Sequence, residues 1–474
     1  MRYCISIITA LLLALPLPAQ QPVREQGQSL LFLPEGDFTR AEAGYRVRSE
    51  DEAFLPAEGR GLVQGEFLLT ARHRLDSLSR VEGSAGYERG VKRSVCWNSS
   101  SDWALLAPYV TLDTLGGDLQ KEQYTFRARY ARRIGKAFAT GAVSYRALHE
   151  YRDFDPRPRN VTADLEILAG GGLQTGRSVL SLEAGYRKYH QNGDISFMDP
   201  RGNNTAVFHW LGLGSHYARL SPSLGIRFRG EGFSAALRLE PLAGTGWTGR
   251  LSYTWLDIVR HAKGQNEAPM SSLLHQDLTL SGGYKWQHAS VSADLSYRLR
   301  QGTEHVLDGV GSYLSLAELT LYREPSFEAA LSGTVESGAW TWAPSARFVR
   351  RTAEGLYPAR DFSLSYAELL FATAYSAHPE GPWAFDAGLS LGGHVTLAGG
   401  YHIPASLLDD RFQAYYDTLY GRFSDHAASG TLRGAVSRRV AGDLWLRLAA
   451  EAGYTHYFTG HRRTDALLTL GIIF

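Results

Sequence analysis

The chain has 474 residues, with 49 Lys and Arg against 48 Asp and Glu, and a formal charge of +1 that argues against a nucleic-acid partner. Its mean hydropathy of −0.22 looks soluble, yet aromatics reach 12% and glycine counts 50, a pairing odd for a soluble enzyme and expected where lipid-facing and lumen-facing residues alternate. No run of 18 apolar residues follows the N-terminal segment, so a helical membrane protein is excluded.

That segment has a basic Arg2, an apolar core from Ile5 to Leu15, helix-breaking Pro16 and Pro18, and the small Ala19. It reads as a secretory signal peptide over residues 1–19, with a core shorter than the roughly 20 residues a membrane span needs. Cys4 would leave with it, and Cys96 would remain alone, so an exported protein must be held by something other than disulfides. Residues 20–37 read as a periplasmic N-terminal segment containing neither a TonB box nor a plug-sized domain. Residues 38–474 read as one domain.

From about Phe38 onward the chain alternates with period two. In "KEQYTFRARYAR" Tyr124, Phe126, Ala128 and Tyr130 share a face opposite Thr125, Arg127, Arg129 and Ala131; in "SVSADLSYRLR" Val291, Ala293, Leu295, Tyr297 and Leu299 oppose Ser292, Asp294, Ser296, Arg298 and Arg300. "DLWLRLAAEAGY" repeats the pattern, with Leu446 and Leu448 opposite Arg447. Segments of about 10 to 14 residues exceed the usual strand of soluble sheets and suit membrane strands. Short connections fall at 174–177, 286–288, 336–338 and 440–443, and long polar ones near 90–120, 190–231, 259–273, 301–325 and 397–425. Short turns alternating with long loops predict an all-β, transmembrane antiparallel β-barrel of about 16 to 18 strands. The strand number turns on 204–230 and 311–336, where an additional hairpin would belong either to the barrel or to an outer loop, and no helix-period segment of useful length is expected anywhere.

The chain ends on "DALLTLGIIF", where Leu468, Leu470, Ile472 and Phe474 form a wholly apolar face. Every backbone polar group must be paired within lipid, so this last strand is expected to meet the first and turn that face to hydrocarbon.

Motifs of chemistry are sparse. "GLSLG" around Ser390 spells a nucleophile elbow but continues as a strand, and "GTGWTG" from Gly244 spells a dinucleotide fingerprint but runs into "RLSYTWL", also a strand. The 15 histidines show no metal-ligand spacing; His209 and His216, or His456 and His461, would chelate only by coincidence of folding. Asp409, Asp410, Asp417, Asp425 and His426 form the densest acidic group and the one place for a rim hydrolase, although such loops are more often solvated or bridge lipopolysaccharide through divalent ions. No cofactor or metal is expected.

The inward faces carry more arginine than acid: Arg127, Arg129, Arg187, Arg238, Arg298, Arg300, Arg347, Arg433 and Arg447 against Glu183, Glu240, Asp294, Glu451 and Asp465. Guanidinium groups lining a pore would favour anions. Equally, they could pair with neighbouring acids to stiffen the wall or plug it. Arg127, Arg129, Arg298, Arg300 and Arg447 are the candidate lumen-lining residues.

Two resemblances add to this reading. The terminal Phe474, with Ile472 and Leu470, resembles the C-terminal signal recognised by the machinery that inserts Gram-negative outer-membrane barrels. "WNSSSDWALLAPYVTLDTLGGDLQKEQYTF" (Trp97 to Phe126) and "YRALHEYRDFDPRPRN" (Tyr145 to Asn160) resemble an uncharacterised family of Bacteroidota outer-membrane barrel proteins, chiefly through Trp97-Asn98, Gly116-Gly117-Asp118-Leu119 and Asp155 to Asn160. That resemblance implies the fold and the membrane, with lipid and lipopolysaccharide as surroundings, and no chemistry. The expectation is an outer-membrane barrel, not an enzyme, that acts as a passive channel or transport barrel for small polar, preferentially anionic solutes. The alternative is a structural or binding barrel that partners a TonB-dependent transporter or surface lipoprotein.

Overall fold

The computed structural model describes residues 40–52, 55–198, 207–218, 225–242, 244–263, 267–308, 315–377, 381–408 and 410–474. The expected signal peptide, the segment 20–37, Phe38 and Asp409 lie outside the described residues.

Twenty-one strands occur in chain order: β1 Arg40–Glu50, β2 Gly61–Arg74, β3 Ser79–Val95, β4 Thr111–Asp113, β5 Gly117–Ile134, β6 Ala137–Tyr151, β7 Arg157–Thr175, β8 Ser178–Ser196, β9 Val207–Gly212, β10 Ser215–Ala218 and β11 Ile226–Pro241. They continue as β12 Gly246–Ala262, β13 Ala268–Lys285, β14 Ala289–Leu307, β15 Ser315–Ser337, β16 Trp340–Gly355, β17 Arg360–Ala377, β18 Trp383–His402, β19 Ala427–Ala441, β20 Leu444–Tyr457 and β21 Arg462–Ile473. Eighteen of them form one antiparallel sheet, each paired with the next barrel strand in the chain (β3 with β5 and β8 with β11, since β4, β9 and β10 lie outside it), and β1 pairs with β21 to close it. Across the seam Tyr45 lies opposite Leu470, and Phe474 and Ala41 exchange backbone hydrogen bonds of 2.8 and 3.2 Å. Closure leaves no unpaired sheet edge, which is what a lipid environment demands. The protein is a closed, 18-stranded barrel of the outer-membrane type. No helix among the described residues is long and apolar enough to cross a membrane.

The alternation positions the faces as expected. Leu295, Tyr297, Leu446, Leu448, Leu468, Leu470 and Phe474 are exposed on the outer surface. On β14 this apolar band runs from Val291 to Leu299, roughly 26 Å along the strand at about 3.3 Å per residue. At a tilt near 40° that is about 20 Å of thickness, against the roughly 25 Å apolar band of outer-membrane barrels. An aromatic girdle marks its lower edge: Trp247 packs on Tyr284 (5.1 Å), Tyr284 on Trp286 (4.8 Å) and Trp340 on Tyr375 (4.9 Å). Tyr186, Phe233 and Trp255 stack across three neighbouring strands higher up, at 5.4 and 6.1 Å.

Three expectations are corrected. Segments 259–273 and 301–325 are mostly strand, because β12 to β15 continue beyond the apolar band as paired ribbons whose outward residues, such as Gln301, Thr303 and His305, are polar. Among the described residues of 311–336 no further hairpin forms, since β15 runs unbroken from Ser315; the additional hairpin within 204–230 does form, as β9 and β10, and sits in a loop. A helix also exists where none was expected: besides the single turn α1 (Trp103–Leu106), α2 spans Asp410–Ser424. Its signal is present in the sequence, for Phe412, Tyr415, Tyr416, Leu419 and Phe423 recur at helical spacing.

Candidate functional site

The loops at the outer end fold inward. Segments 96–116, 207–218 and 403–426 meet inside the barrel mouth, with β4, β9 and β10 pairing into a separate three-stranded sheet. Their apolar side chains converge on α2. Phe412 is fully buried, stacked on Trp210 at 5.4 Å and on His216 at 4.2 Å, and Trp97 packs against Tyr415 at 4.7 Å. The Tyr416 hydroxyl accepts a hydrogen bond from the Gly214 backbone N–H at 2.9 Å, which ties the second loop to the third. Wall residues Tyr189, Phe228, Leu256, Ile258 and Leu273 complete the same core. These apolar inward residues are what a barrel lumen lacks and a cap needs.

The cap has a definable lower surface. On one face of β14, Arg298 is 50% exposed, whereas Arg300, two residues further out, is 8% exposed and donates to the Ala107 carbonyl of the cap. Arg298 stands at a solvent-accessible stretch of the inner wall; above Arg300 the cap fills the barrel, and toward the short-turn end inward residues such as Phe138, Val179, Ser181 and Arg238 are buried again.

The first loop is held by ion pairs that originate in the segment of family resemblance. Arg152 and Asp113 pair at 2.5 Å with both side chains 0% exposed, and Arg152 also donates to the carbonyl of Gly116 at 2.9 Å. Asp113 in turn accepts from the Leu115 amide (2.9 Å) and shapes the turn into Gly116 (φ +73°), where a Cβ would strike the Val95 carbonyl. Asp102 is gripped by both terminal nitrogens of Arg146 at 2.9 and 2.6 Å and accepts from the Tyr189 hydroxyl at 2.9 Å. Burial alone would raise the Asp102 carboxyl, but Arg146 and Tyr189 bring it net below the ordinary aspartate range. Ser101 donates to Glu150 at 2.5 Å, Glu150 pairs with Lys92 at 2.6 Å, and Asn160 donates to the Ser99 carbonyl at 2.9 Å. Asp118 accepts from the Ser94 amide, and Asn98 donates to the Ala57 carbonyl. The loop "WNSSSDWALLAPYVTLD" is thus latched to β6, β7 and β8 at several points.

The inward arginines are paired along the wall. Arg129 meets Glu82 at 2.5 Å, Arg298 meets Asp277 at 2.5 Å, Arg300 meets Glu324 at 3.0 Å and Arg447 meets Asp386 at 3.1 Å. Arg127 faces the same side as Arg129 and is exposed. Arg347 bridges Glu328 and Glu368, Arg187 grips Asp164 with two nitrogens, and Arg238 meets Glu183. The acids come from adjacent or next strands, so they were legible only once the register was known. Leu470 and Phe474 point outward from the closing strand, with Ile472 on the same face.

The remaining motif residues are dispersed. Ser390 lies in the middle of β18 on the inward face, where the strand continues to His402 and does not turn into a helix, and Gly244 to Gly249 is a turn running into the first residues of β12. Of the acidic group, Asp417 accepts from Tyr401, Asp425 accepts from Thr459 at 2.5 Å, and His426 Nδ1 accepts from the Thr396 amide at 3.1 Å. Asp417 and Asp425 border a rim cavity of about 280 Å³ with Glu52, Arg422, Tyr457 and His461. Among the described residues no group of three or more His, Cys, Asp or Glu could hold a metal ion. Cys96 is a free thiol, half-buried beneath the first loop.

In architecture the chain is similar to outer-membrane and ferric-compound receptors of known structure. BauA, the ferric preacinetobactin receptor of Acinetobacter baumannii, is 9% identical, over 93% of this chain and 80% of that one, with a TM-score of 0.44. FauA, the alcaligin outer-membrane receptor of Bordetella pertussis, is 12% identical, over 93% and 77%, with a TM-score of 0.42. Fiu, the ferric-catecholate import receptor of E. coli K12, is 8% identical, over 93% and 82%, with a TM-score of 0.42. Among curated proteins no sequence matches. Residues 28–474 fit the profile of a family of unknown function, DUF6850, and the chain belongs to that family.

Proposed function

We propose that this protein is an integral outer-membrane barrel of a Gram-negative cell that admits small polar, preferentially anionic solutes through a lumen gated by its own outer loops. One observation carries the reading: the change from a half-exposed Arg298 to a buried Arg300 on the same strand face, which supports a water-accessible space under a cap. A latched cap distinguishes this barrel from an always-open pore. Ion pairing moderates the field of the arginines without removing their donors, so a residual anion preference is expected. The first loop and α2 are the moving parts.

Planar-bilayer recording tests this. The native barrel should be closed for most of the record, and replacement of residues 99–111 by a short Gly/Ser linker should give steady conductance. The reversal potential across a KCl gradient should favour anions in that variant, and the preference should weaken when Arg127, Arg129, Arg298 and Arg300 are neutralised together. Silence from a well-folded loop-replaced barrel would refute the channel reading.

A second reading, a binding barrel that partners a TonB-dependent transporter or surface lipoprotein, draws support from the β14–β15 ribbon. It projects beyond the rim and presents Val306, Leu316 and Leu319 exposed, an apolar surface that lipid does not cover.

A further inference from the structure

A second site lies inside the cap, above the lumen. Arg260 on β12 is only 1% exposed, and among the described residues it makes no ion pair. Its sole polar contact is from Nη2 to His209 Nδ1, while Nε and Nη1 are buried without a hydrogen-bond partner. A guanidinium so placed is among the most unfavourable groups a protein can bury, and its unsatisfied nitrogens call for a partner.

Its neighbours share the deficit. The strand register aligns Arg260 with Ser271 on β13 and Ser271 with Glu304 on β14, so the three stand side by side on the inward face. The Ser271 hydroxyl is buried and unpartnered. One step down the same face of β14, Tyr109 from the cap lies on Gly302, where any Cβ would collide with it, and its hydroxyl is also buried and unpartnered. Across β15 and β16 the row continues from Gly302 through Tyr322 and Gly355 to Arg360, whose side chain folds back over Gly355. Arg360 donates to two backbone carbonyls, of Tyr357 and Pro358, but its Nε is unpartnered and it too forms no ion pair among the described residues. Among the described residues Glu304 is the carboxylate that acts on both guanidinium groups and it pairs with neither, while Glu324 beside Tyr322 is already neutralised by Arg300 and Arg351. Two buried positive charges therefore face one carboxylate, with unpartnered donors on Arg260, Arg360, Tyr109 and Ser271.

We infer that this cluster binds one small oxyanion, such as phosphate or a carboxylate, between Arg260 and Tyr109, with Ser271 and Arg360 as flanking donors. Each free nitrogen of Arg260, Nε and Nη1, shares an edge of the guanidinium with Nη2, which has a second N–H beyond the one directed at His209, and such an edge takes two oxygens of one anion. The anion would neutralise the excess charge and join cap to wall, because Tyr109 and His209 belong to the cap and the other donors to strands. The site does not depend on whether the lumen conducts.

Equilibrium dialysis of the folded, full-length barrel in detergent against radiolabelled inorganic phosphate tests the assignment. Saturable binding at one phosphate per chain is expected, persisting when chloride is added at equal concentration. Arg260→Gln should weaken it by about tenfold or more, as loss of a charge-assisted bidentate pair implies. Tyr109→Phe, which removes a single oxygen and leaves the ring on Gly302, should weaken it severalfold and serves if Arg260→Gln fails to show heat-modifiable gel mobility. Absence of saturable binding to the native barrel, binding lost to equimolar chloride, or undiminished binding by a folded variant would overturn the proposal.

Discussion

Asp113→Ala is the sharpest perturbation of the cap. The substitution leaves Arg152 fully buried with only backbone carbonyls as partners, and removes the acceptor that shapes the turn at Leu115 and Gly116. Stranding one member of a buried ion pair costs about 3–5 kcal/mol; the carbonyls of Gly116 and Pro156 offset part of it, so about 3 kcal/mol is the figure to use here. At about 1.4 kcal/mol per decade, that shifts the equilibrium between latched and released first loop by roughly a hundredfold. The barrel itself should persist, since its ladder hydrogen bonds do not involve these side chains. Cys96 supplies the assay. Its thiol lies beneath the loop, donates to the Thr114 carbonyl, and is pushed up by burial, so it should react slowly with a membrane-impermeant maleimide in the native protein. In Asp113→Ala the labelling rate should rise by up to about a hundredfold, with Cys96→Ser as the blank. The double variant Asp113→Leu with Arg152→Met should label far more slowly than the single one, because replacing a buried pair by apolar groups is often nearly neutral. An unchanged rate in Asp113→Ala, or equal rates in single and double variants, would refute the claim that this pair latches the cap.

Three further outcomes follow from the same geometry. Leu470→Arg places a charge on the lipid face of the closing strand and should lower the yield of heat-modifiable, membrane-inserted barrel, at about 2–4 kcal/mol if the site lies near the midplane; normal outer-membrane levels would contradict the assignment. Leu295→Arg should be equally damaging, whereas Arg298→Ser, three positions on and facing the lumen, should fold normally, and comparable loss of folded barrel in both would mean the inward face is structural. The Asp102 latch sets a pH response: its carboxyl is lowered in the folded state, so its contribution is complete above the free aspartate value of about 3.9 and is lost as pH falls below that value through the lowered one. Bilayer conductance should accordingly stay unchanged between about pH 5 and pH 8 and rise only below about pH 4, and opening at pH 6 would exclude Asp102 as the controlling group.

What the sequence by itself determined is whatever depends on residues two apart. Leu446 faces lipid and Arg447 the lumen because a pleated strand turns alternate side chains to opposite sides, and the last strand must meet the first because a membrane sheet tolerates no edge. The limits of that reasoning show at 301–325, where alternation of the lipid-facing kind ceases once β14 and β15 leave the apolar band, although their backbone pairing continues. The helical spacing of Phe412, Tyr415, Tyr416 and Phe423 was also legible, but it says only that α2 has an apolar stripe and not what covers it. Only the tertiary structure decided that the stripe turns inward onto Trp97 and Trp210, that Gly214 is tied to Tyr416 across 202 residues of chain, and that Asp113 finds Arg152. The same holds for the lumen: arginine excess was visible, yet whether Arg298 meets Asp277 or open water depends on strand register and on where the cap ends. These contacts join residues far apart in sequence, and their energies arise from burial and charge compensation that exist only after the barrel has closed around its own loops.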